Sequence, residues 1–444
     1  MIKKLSSLLA IAMTAFAATA GHVTLDGTIT STKFYPGTIR PYQVYVPEQY
    51  TGDKPACLFL GLDGELCNAQ AVMDSLITAG AMPVTIGVFL QHGMILDEND
   101  KALRYNRSNE YDMTDDRFGR FLETEVLPVI EGLTTPDGRH IRLSHDGNDH
   151  MMFGLSSGGI CSFVTAWHRP DLFRRVFCGV GTFVPMRGGN DLQAIVRKHE
   201  PQPLRIFLQD GTNDVWNGTF GHWYEANRIM ASALDFAGYD TGYDWSDCNH
   251  GVKRTNEIFA DVMKWMWRDY PAPIKAGHTS NDMLAPLLPE DGPTEWVESK
   301  TTAARLSTDS VAARYPDGTV AVVRHKGTNC LWQYVIGKGG KLQYGQRFYW
   351  LHNYDNSQLE IGPMAFDAVG SLYVLTNAGI QMLDQNGRVR AIFNIPKVNI
   401  AQCASLTVKD GSIVIVTTKG QRWERRLNVK APEKGKRPRS QGWG

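Results

Sequence analysis

Two kinds of hydrophobic patterning divide the chain. Over residues 21–50 apolar and polar positions alternate, most clearly in Tyr42-Gln43-Val44-Tyr45-Val46-Pro47, as in a half-buried strand at the antiparallel edge of a sheet. Ala56-Cys57-Leu58-Phe59-Leu60 is instead continuously apolar, which predicts a central strand buried on both faces. A helix is expected over 69–80 and a buried strand over Met82–Leu90. The next helix is expected over Arg117–Leu133, apolar at Phe118, Phe121, Leu122, Val126, Leu127 and Ile130. A short apolar strand then turns at Ser156 into a helix running to about His168. Strands Phe173–Val180 and Leu204–Leu208, helix Trp223–Ala237, strand Thr241–Trp245 and helix Asn256–Arg268 follow. Strands alternating with helices predict an α/β domain over 21–271, a mostly parallel sheet with helices on both faces.

Residues 272–293 are rich in Pro, Gly and Asp, have weak periodicity, and are expected to be a linker. Over 294–430 short apolar strands are separated by glycine turns. Gly318, Gly370 and Gly411 stand 52 and 41 residues apart, close to the spacing of propeller blades, about 40–50 residues. The prediction is an all-β, propeller-like domain with room for three blades or a little more. The basic, Gly/Pro-rich tail 431–444 is expected to be disordered.

Equal numbers of basic and acidic residues give a formal net charge of zero, so neither a nucleic acid nor an anionic membrane surface is the expected partner. Residues 1–20 read as a cleaved secretory signal: Lys3-Lys4, an apolar stretch from Leu8 to Ala18, then Ala18-Thr19-Ala20. The apolar stretch is short for a membrane span, and the chain is expected to be secreted or periplasmic. The seven cysteines are scattered, without a C-x-x-C pair or zinc spacing. No metal or cofactor is expected. A Cys67–Cys248 bridge is one hypothesis, since both residues fall in loops near the expected site.

The chemistry centres on Gly154-Leu155-Ser156-Ser157-Gly158-Gly159. Gly-x-Ser-x-Gly between an apolar strand and a helix fits a nucleophile elbow, with helix N–H groups behind the serine. A serine hydroxyl needs a base beside it, and the base needs an anion to fix its tautomer. In chain order Ser, acid, His, the acid falls in Gln209-Asp210-Gly211-Thr212-Asn213-Asp214 and the base in Asn249-His250-Gly251. Asp210 competes with Asp214, which is favoured because Gly211-Thr212-Asn213 lets the chain curl back. His145, His150 and His168 flank the elbow unit and none follows a late strand, while His222 precedes a helix; His250 is preferred by place and order. The oxyanion N–H groups are expected from Ser157 and from Leu62 or Asp63 in the Gly61–Gly64 turn. Arg104–Asp112 is polar, aromatic and long for a loop, and such loops often carry function.

These motifs together resemble those of esterase D, enterochelin esterases and carbohydrate esterase family one, the feruloyl and acetyl xylan esterases. The carriers are the N-R-S-x-E-Y-D stretch in Arg104–Asp112, the elbow, Gln209–Asp214, and His250 before Gly251; Trp265–Pro271 resembles a branch fused to a gluconolactonase-like domain. The resemblance implies an α/β-hydrolase fold with Ser156, Asp214 and His250 as the triad. Where relatives often carry Gly-Gly-His, this chain has Cys248-Asn249 before His250. Phe366–Asp384 and Trp423–Asn428 resemble, weakly, part of a gluconolactonase propeller. The expected function is a serine esterase acting on a small-molecule or polysaccharide ester, feruloyl or acetyl, with Arg107, Glu110, Tyr111 and Trp216 as substrate-binding residues. The alternatives are a siderophore esterase, a non-catalytic carbohydrate-binding protein, and a lactonase in the C-terminal domain.

Overall fold

The computed structural model describes residues 22–290, 295–307, 311–325, 327–354 and 359–438; the secretory-signal segment 1–20 and the end of the tail lie outside them. The chain forms two compact units. Of the described residues, the first holds those within 22–190, 202–231 and 239–275, and the second those within 191–201, 232–238 and 276–438.

The first unit is built on a ten-stranded sheet: β1 (His22–Thr30), β2 (Ile39–Pro47), β3 (Cys57–Leu62), β4 (Thr85–Leu90), β5 (Met94–Leu96), β6 (Ala102–Tyr105), β7 (His150–Leu155), β8 (Arg175–Gly179), β9 (Arg205–Asn213) and β12 (Asp240–Asn249). A separate hairpin, β10 (Trp216–Asn217) and β11 (Gly221–His222), lies between β9 and β12 in the chain. The sheet runs β12-β9-β8-β7-β3-β4-β2-β5-β6, with β1 on β2. From β12 to β4 all neighbours are parallel, while β2, β5, β6 and β1 add antiparallel pairs. This is the mostly parallel sheet that the alternation predicts, and it is like that of the α/β-hydrolase fold implied by the resemblance.

The central strands are apolar because both their faces are covered. Phe153, Phe177 and Phe207 stand opposite one another on β7, β8 and β9. Phe259, from helix α8 (Val252–Trp267), lies against Phe153 at a ring separation of 5.0 Å and against Phe177 at 6.1 Å. After β3 the chain crosses to β4 on one side, then returns to β7 on the other. Ligand sites of open α/β sheets form beyond the strand ends at such a reversal.

Several elements depart from the hydrophobic pattern. Arg104–Asp112 is not a loop: β6 ends at Tyr105 and Arg107–Tyr111 is a short helix, α2. The helix expected over 117–133 is α3 (Arg117–Phe121) and α4 (Leu127–Glu131), joined by a π-helical turn over Leu122–Val126. Pro128 has no N–H to give to the carbonyl four residues back, and the wider turn lies just before it. β9 continues to Asn213, past the end of its apolar run at Leu208, because its backbone goes on pairing with β12.

The second unit contains three four-stranded antiparallel sheets. One joins β14 (Val311–Arg314), β15 (Val320–Arg324), β16 (Cys330–Ile336) and β17 (Leu342–Trp350) in that order. The next joins β18 (Ile361–Phe366), β19 (Leu372–Thr376), β20 (Gly379–Leu383) and β21 (Val389–Phe393). The third combines β22 (Cys403–Lys409), β23 (Ser412–Thr417) and β24 (Gln421–Arg426) with β13 (Val297–Lys300), which pairs with β24. β18 packs against both β14 and β22, edge strands of the two other sheets. Gly318, Gly370 and Gly411 lie in turns with φ of 77°, 84° and 79°, where a side chain would be strained. Within 272–290 the expected linker is packed: Leu284 is fully buried in this unit's core, and Asn281 donates to the carbonyls of Arg197 and Arg390. Glu200 pairs with Arg425, both buried. In the tail, the Gly435 N–H donates to Pro316 O at 2.8 Å.

Candidate active site

Ser156 lies between β7 and helix α5 (Ser157–His168) with φ 57° and ψ −119°, a conformation costly for a residue with a side chain. The glycine two residues before it makes the turn possible. A Cβ on Gly154 would sit 2.3 Å from the Gly158 carbonyl oxygen, whereas one on Gly158 would make only ordinary contact with Asp63 and Leu62. The strained turn lifts the serine oxygen away from the backbone.

His250 follows β12, and Asp214 follows β9. The Ser156 hydroxyl lies 3.0 Å from His250 Nε2, and His250 Nδ1 lies 2.6 Å from Asp214 Oδ1. With Nδ1–H donating to the carboxylate, Nε2 is left as the acceptor of the serine proton. Asp214 Oδ1 also accepts from the Val215 N–H. Burial works to raise the Asp214 carboxyl, but the bonds from His250, Asp210 and Val215 hold it below the usual carboxylate range. Three side chains distant in sequence are therefore joined in one hydrogen-bonded line, with the serine hydroxyl at its end.

The turn after β3 stands next to this group because β3 and β7 are paired neighbours, Gly61 opposite Phe153. Asp63 is left-handed, with φ 63°. Its carboxylate accepts two bonds from Arg107, at 2.8 and 2.7 Å, and Arg107 also donates to Leu155 O at 3.3 Å. One guanidinium thus ties the turn holding Leu62 and Asp63 to the strand end just before Ser156. The carboxyl of Asp112, at the end of α2, is buried without a hydrogen-bond partner among the described residues, and burial pushes it above its ordinary range.

Of the expected substrate-binding residues, Trp216 is 70% exposed, on the hairpin after Asp214. Arg107 is engaged by Asp63. Glu110 and Tyr111 are corrections, because both are sealed inside, at 2% and 0% exposure. Glu110 binds Arg40 at 3.1 and 3.0 Å and accepts from Asn106 and from the Gly93 N–H. The Tyr111 ring packs edge-on against Phe118 at 5.5 Å. These residues anchor the segment from inside and offer nothing to a substrate. The Cys67–Cys248 bridge is also absent: all seven cysteines are free thiols. The Cys248 sulfur instead accepts from Gln209 Nε2 at 3.3 Å.

Two residues at the site were not singled out for a role at the serine. Thr182, in the loop after β8, places its hydroxyl 3.2 Å from Ser156 Oγ. Trp223, first residue of helix α7 (Trp223–Ala237), donates its indole N–H to that hydroxyl at 3.3 Å and sets its ring edge-on to His250. The signal available was position alone, a loop at the same end of the strand beside the elbow. A cleft of about 520 Å³ is lined by residues including Leu66, Cys67, Asn68, Val252 and Asn256. Its two walls directly follow the Gly61–Gly64 turn and His250 in the chain. Among the described residues no group of three or more His, Cys, Asp or Glu is placed to hold a metal ion.

Residues 35–234 match the sequence model of the Esterase family, described as putative esterase. No curated protein matches the sequence. Among solved structures, the enterochelin esterase of Shigella flexneri superposes with a TM-score of 0.42 at 18% identity, over 55% of this chain and 58% of that one. The chain thus spans less than two thirds of that protein's length. A ferulic acid esterase superposes with a TM-score of 0.41 at 18% identity, over 56% and 98%. The CE1 ferulic acid esterase of the anaerobic fungus Anaeromyces mucronatus gives 0.39 at 18% identity, over 57% and 93%.

Proposed function

We propose that this carboxylic ester hydrolase is an exported serine esterase working through an acyl-enzyme, with Ser156 as nucleophile, His250 as base and Asp214 as the acid that orients it. The observation that carries the reading is the imidazole of His250, bonded through one nitrogen to Ser156 and through the other to Asp214. His250 takes the serine proton as the oxygen attacks the ester carbonyl. The tetrahedral oxyanion is held by the N–H of Ser157 and by one from Leu62 or Asp63, in the turn braced by Arg107. His250, now protonated, gives its proton to the leaving alcohol, and water clears the acyl group by the same steps in reverse.

Feruloyl or acetyl esters of plant polysaccharide are the proposed substrates. Exposed rings at Tyr105 (68%) and Trp216 (70%) support this, since phenolic and sugar rings stack on aromatic faces. A siderophore ester, anionic in its iron complex, would call for unpaired positive charge, and Arg107 already faces Asp63. No helix among the described residues is long and apolar enough to cross a membrane; export rests on the signal read over 1–20. Ser156→Ala is expected to abolish hydrolysis of nitrophenyl acetate and labelling by a fluorophosphonate, with the circular dichroism spectrum retained. Full activity in that variant refutes the assignment. A panel of methyl ferulate, acetylated xylan and enterobactin then ranks the substrates.

A further inference from the structure

His250 engages only one oxygen of Asp214. The other, Oδ2, is buried and receives no N–H or O–H donor from a neighbouring non-acid group. Four residues earlier, Asp210 is fully buried within β9. Its Oδ1 accepts from the Gly211 N–H at 2.7 Å, and its Oδ2 is left in the same condition as that of Asp214. The two carboxyls are within hydrogen-bonding contact of each other. Two ionised carboxylates in contact and out of water repel, whereas a single proton between them turns the contact into an O–H···O⁻ bond.

We propose that Asp210 is a positioning residue: it keeps a proton at neutral pH and donates it to Asp214 Oδ2, fixing the plane in which Asp214 Oδ1 meets His250. This rests on the roles proposed above for Ser156, His250 and Asp214. Around Asp210 stand the Asp214 carboxylate, the Asn227 amide on α7 and the Cys248 thiol on β12, with His250 beyond Asp214. Burial and then the bond to Asp214 push the Asp210 carboxyl far above the ordinary carboxylate range. Asp214 moves the opposite way, as the acceptor of a shared proton should. The Asp210 proton takes no part in turnover; the proton that moves is the one passed between Ser156, His250 and the leaving group. Asp210 and Asp214, rivals for one role in the sequence, thereby hold two different ones.

The test uses the full chain, nitrophenyl acetate, and the variants Asp210→Asn and Asp210→Ala. Asparagine keeps an N–H donor toward Asp214, and alanine removes it. Alanine is expected to lower kcat about tenfold or more with KM little changed, and asparagine to recover activity to within about threefold of the natural protein. The acid limb of kcat/KM is expected at the same pH in the natural protein and in Asp210→Asn, because a neutral acid has been exchanged for a neutral amide. If Asp210 is ionised, Asp210→Asn removes a negative charge beside His250 and moves that limb to lower pH by about one unit, which overturns the proposal. Infrared difference spectra at pH 7 should show a protonated-carboxyl C=O band lost in Asp210→Asn; its absence also overturns the proposal, whether or not Asp210→Ala folds. Activity surviving in Ser156→Ala would instead sink the reading of the triad, and the infrared band reports on Asp210 independently of that.

Discussion

Aspartates follow strands in both units, and two at the candidate site direct their oxygens differently from those of the β-rich unit. In the β-rich unit Asp317 Oδ1 accepts from the Thr319 N–H, Asp367 Oδ1 from Val369 and Ser371, and Asp384 Oδ1 from Asn386 and Arg388. Every one of these backbone donors lies within four residues, so each acid closes its own hairpin turn. In the α/β unit Asp63 is bound by a guanidinium 44 residues away, and Asp214 by an imidazole 36 residues away. A carboxylate satisfied by its own turn is spent on local geometry. One left short by its turn is available to a group that only the tertiary fold can deliver, and here those acids gather at one end of the parallel strands.

This contrast can be broken by substitution. The largest effect is expected for Asp214→Asn, whose amide no longer fixes the imidazole tautomer: kcat should fall by about 10⁴ with KM nearly unchanged. A loss under tenfold in steady-state assays would mean that the long-range acid is as dispensable as a turn aspartate. Arg107→Ala should come next, lowering kcat on the order of ten- to a hundredfold as the oxyanion turn loosens. A raised KM with unchanged kcat would place Arg107 against the substrate instead. The smallest effect on rate is expected for Asp367→Ala. It should lower the stability of the protein to denaturant by about 1–2 kcal/mol, through its lost turn bonds, and leave kcat where it was.

What could be read without coordinates follows the same division. Gly154, Ser156 and Gly158 announce the elbow by their spacing, and at Gly154 the turn leaves no room for a side chain. The hairpins at Gly318, Gly370 and Gly411 are legible for a related reason, a backbone conformation written into two or three adjacent residues. Asp214 and His250 follow from strand order, since a parallel sheet brings every strand end to one edge. The fate of Glu110 and Tyr111 could not be read that way. A polar, aromatic stretch looks like surface until Arg40, 70 residues earlier, buries the acid beside it. Thr182 is equally silent, because a hydroxyl acquires meaning only from the atoms that come to face it. Asp210 shows the limit most clearly: sequence offers two acids for one position, and only packing reveals a second position behind the first.

β9 and β12 remain paired beyond the rest of the sheet, to Asn213 opposite Asn249, one residue short of Asp214 and of His250. Acid and base therefore ride on a single two-stranded ribbon, while the serine is mounted on a different ridge. If that ribbon bends, the spacing between its two passengers is conserved and only their reach to Ser156 changes.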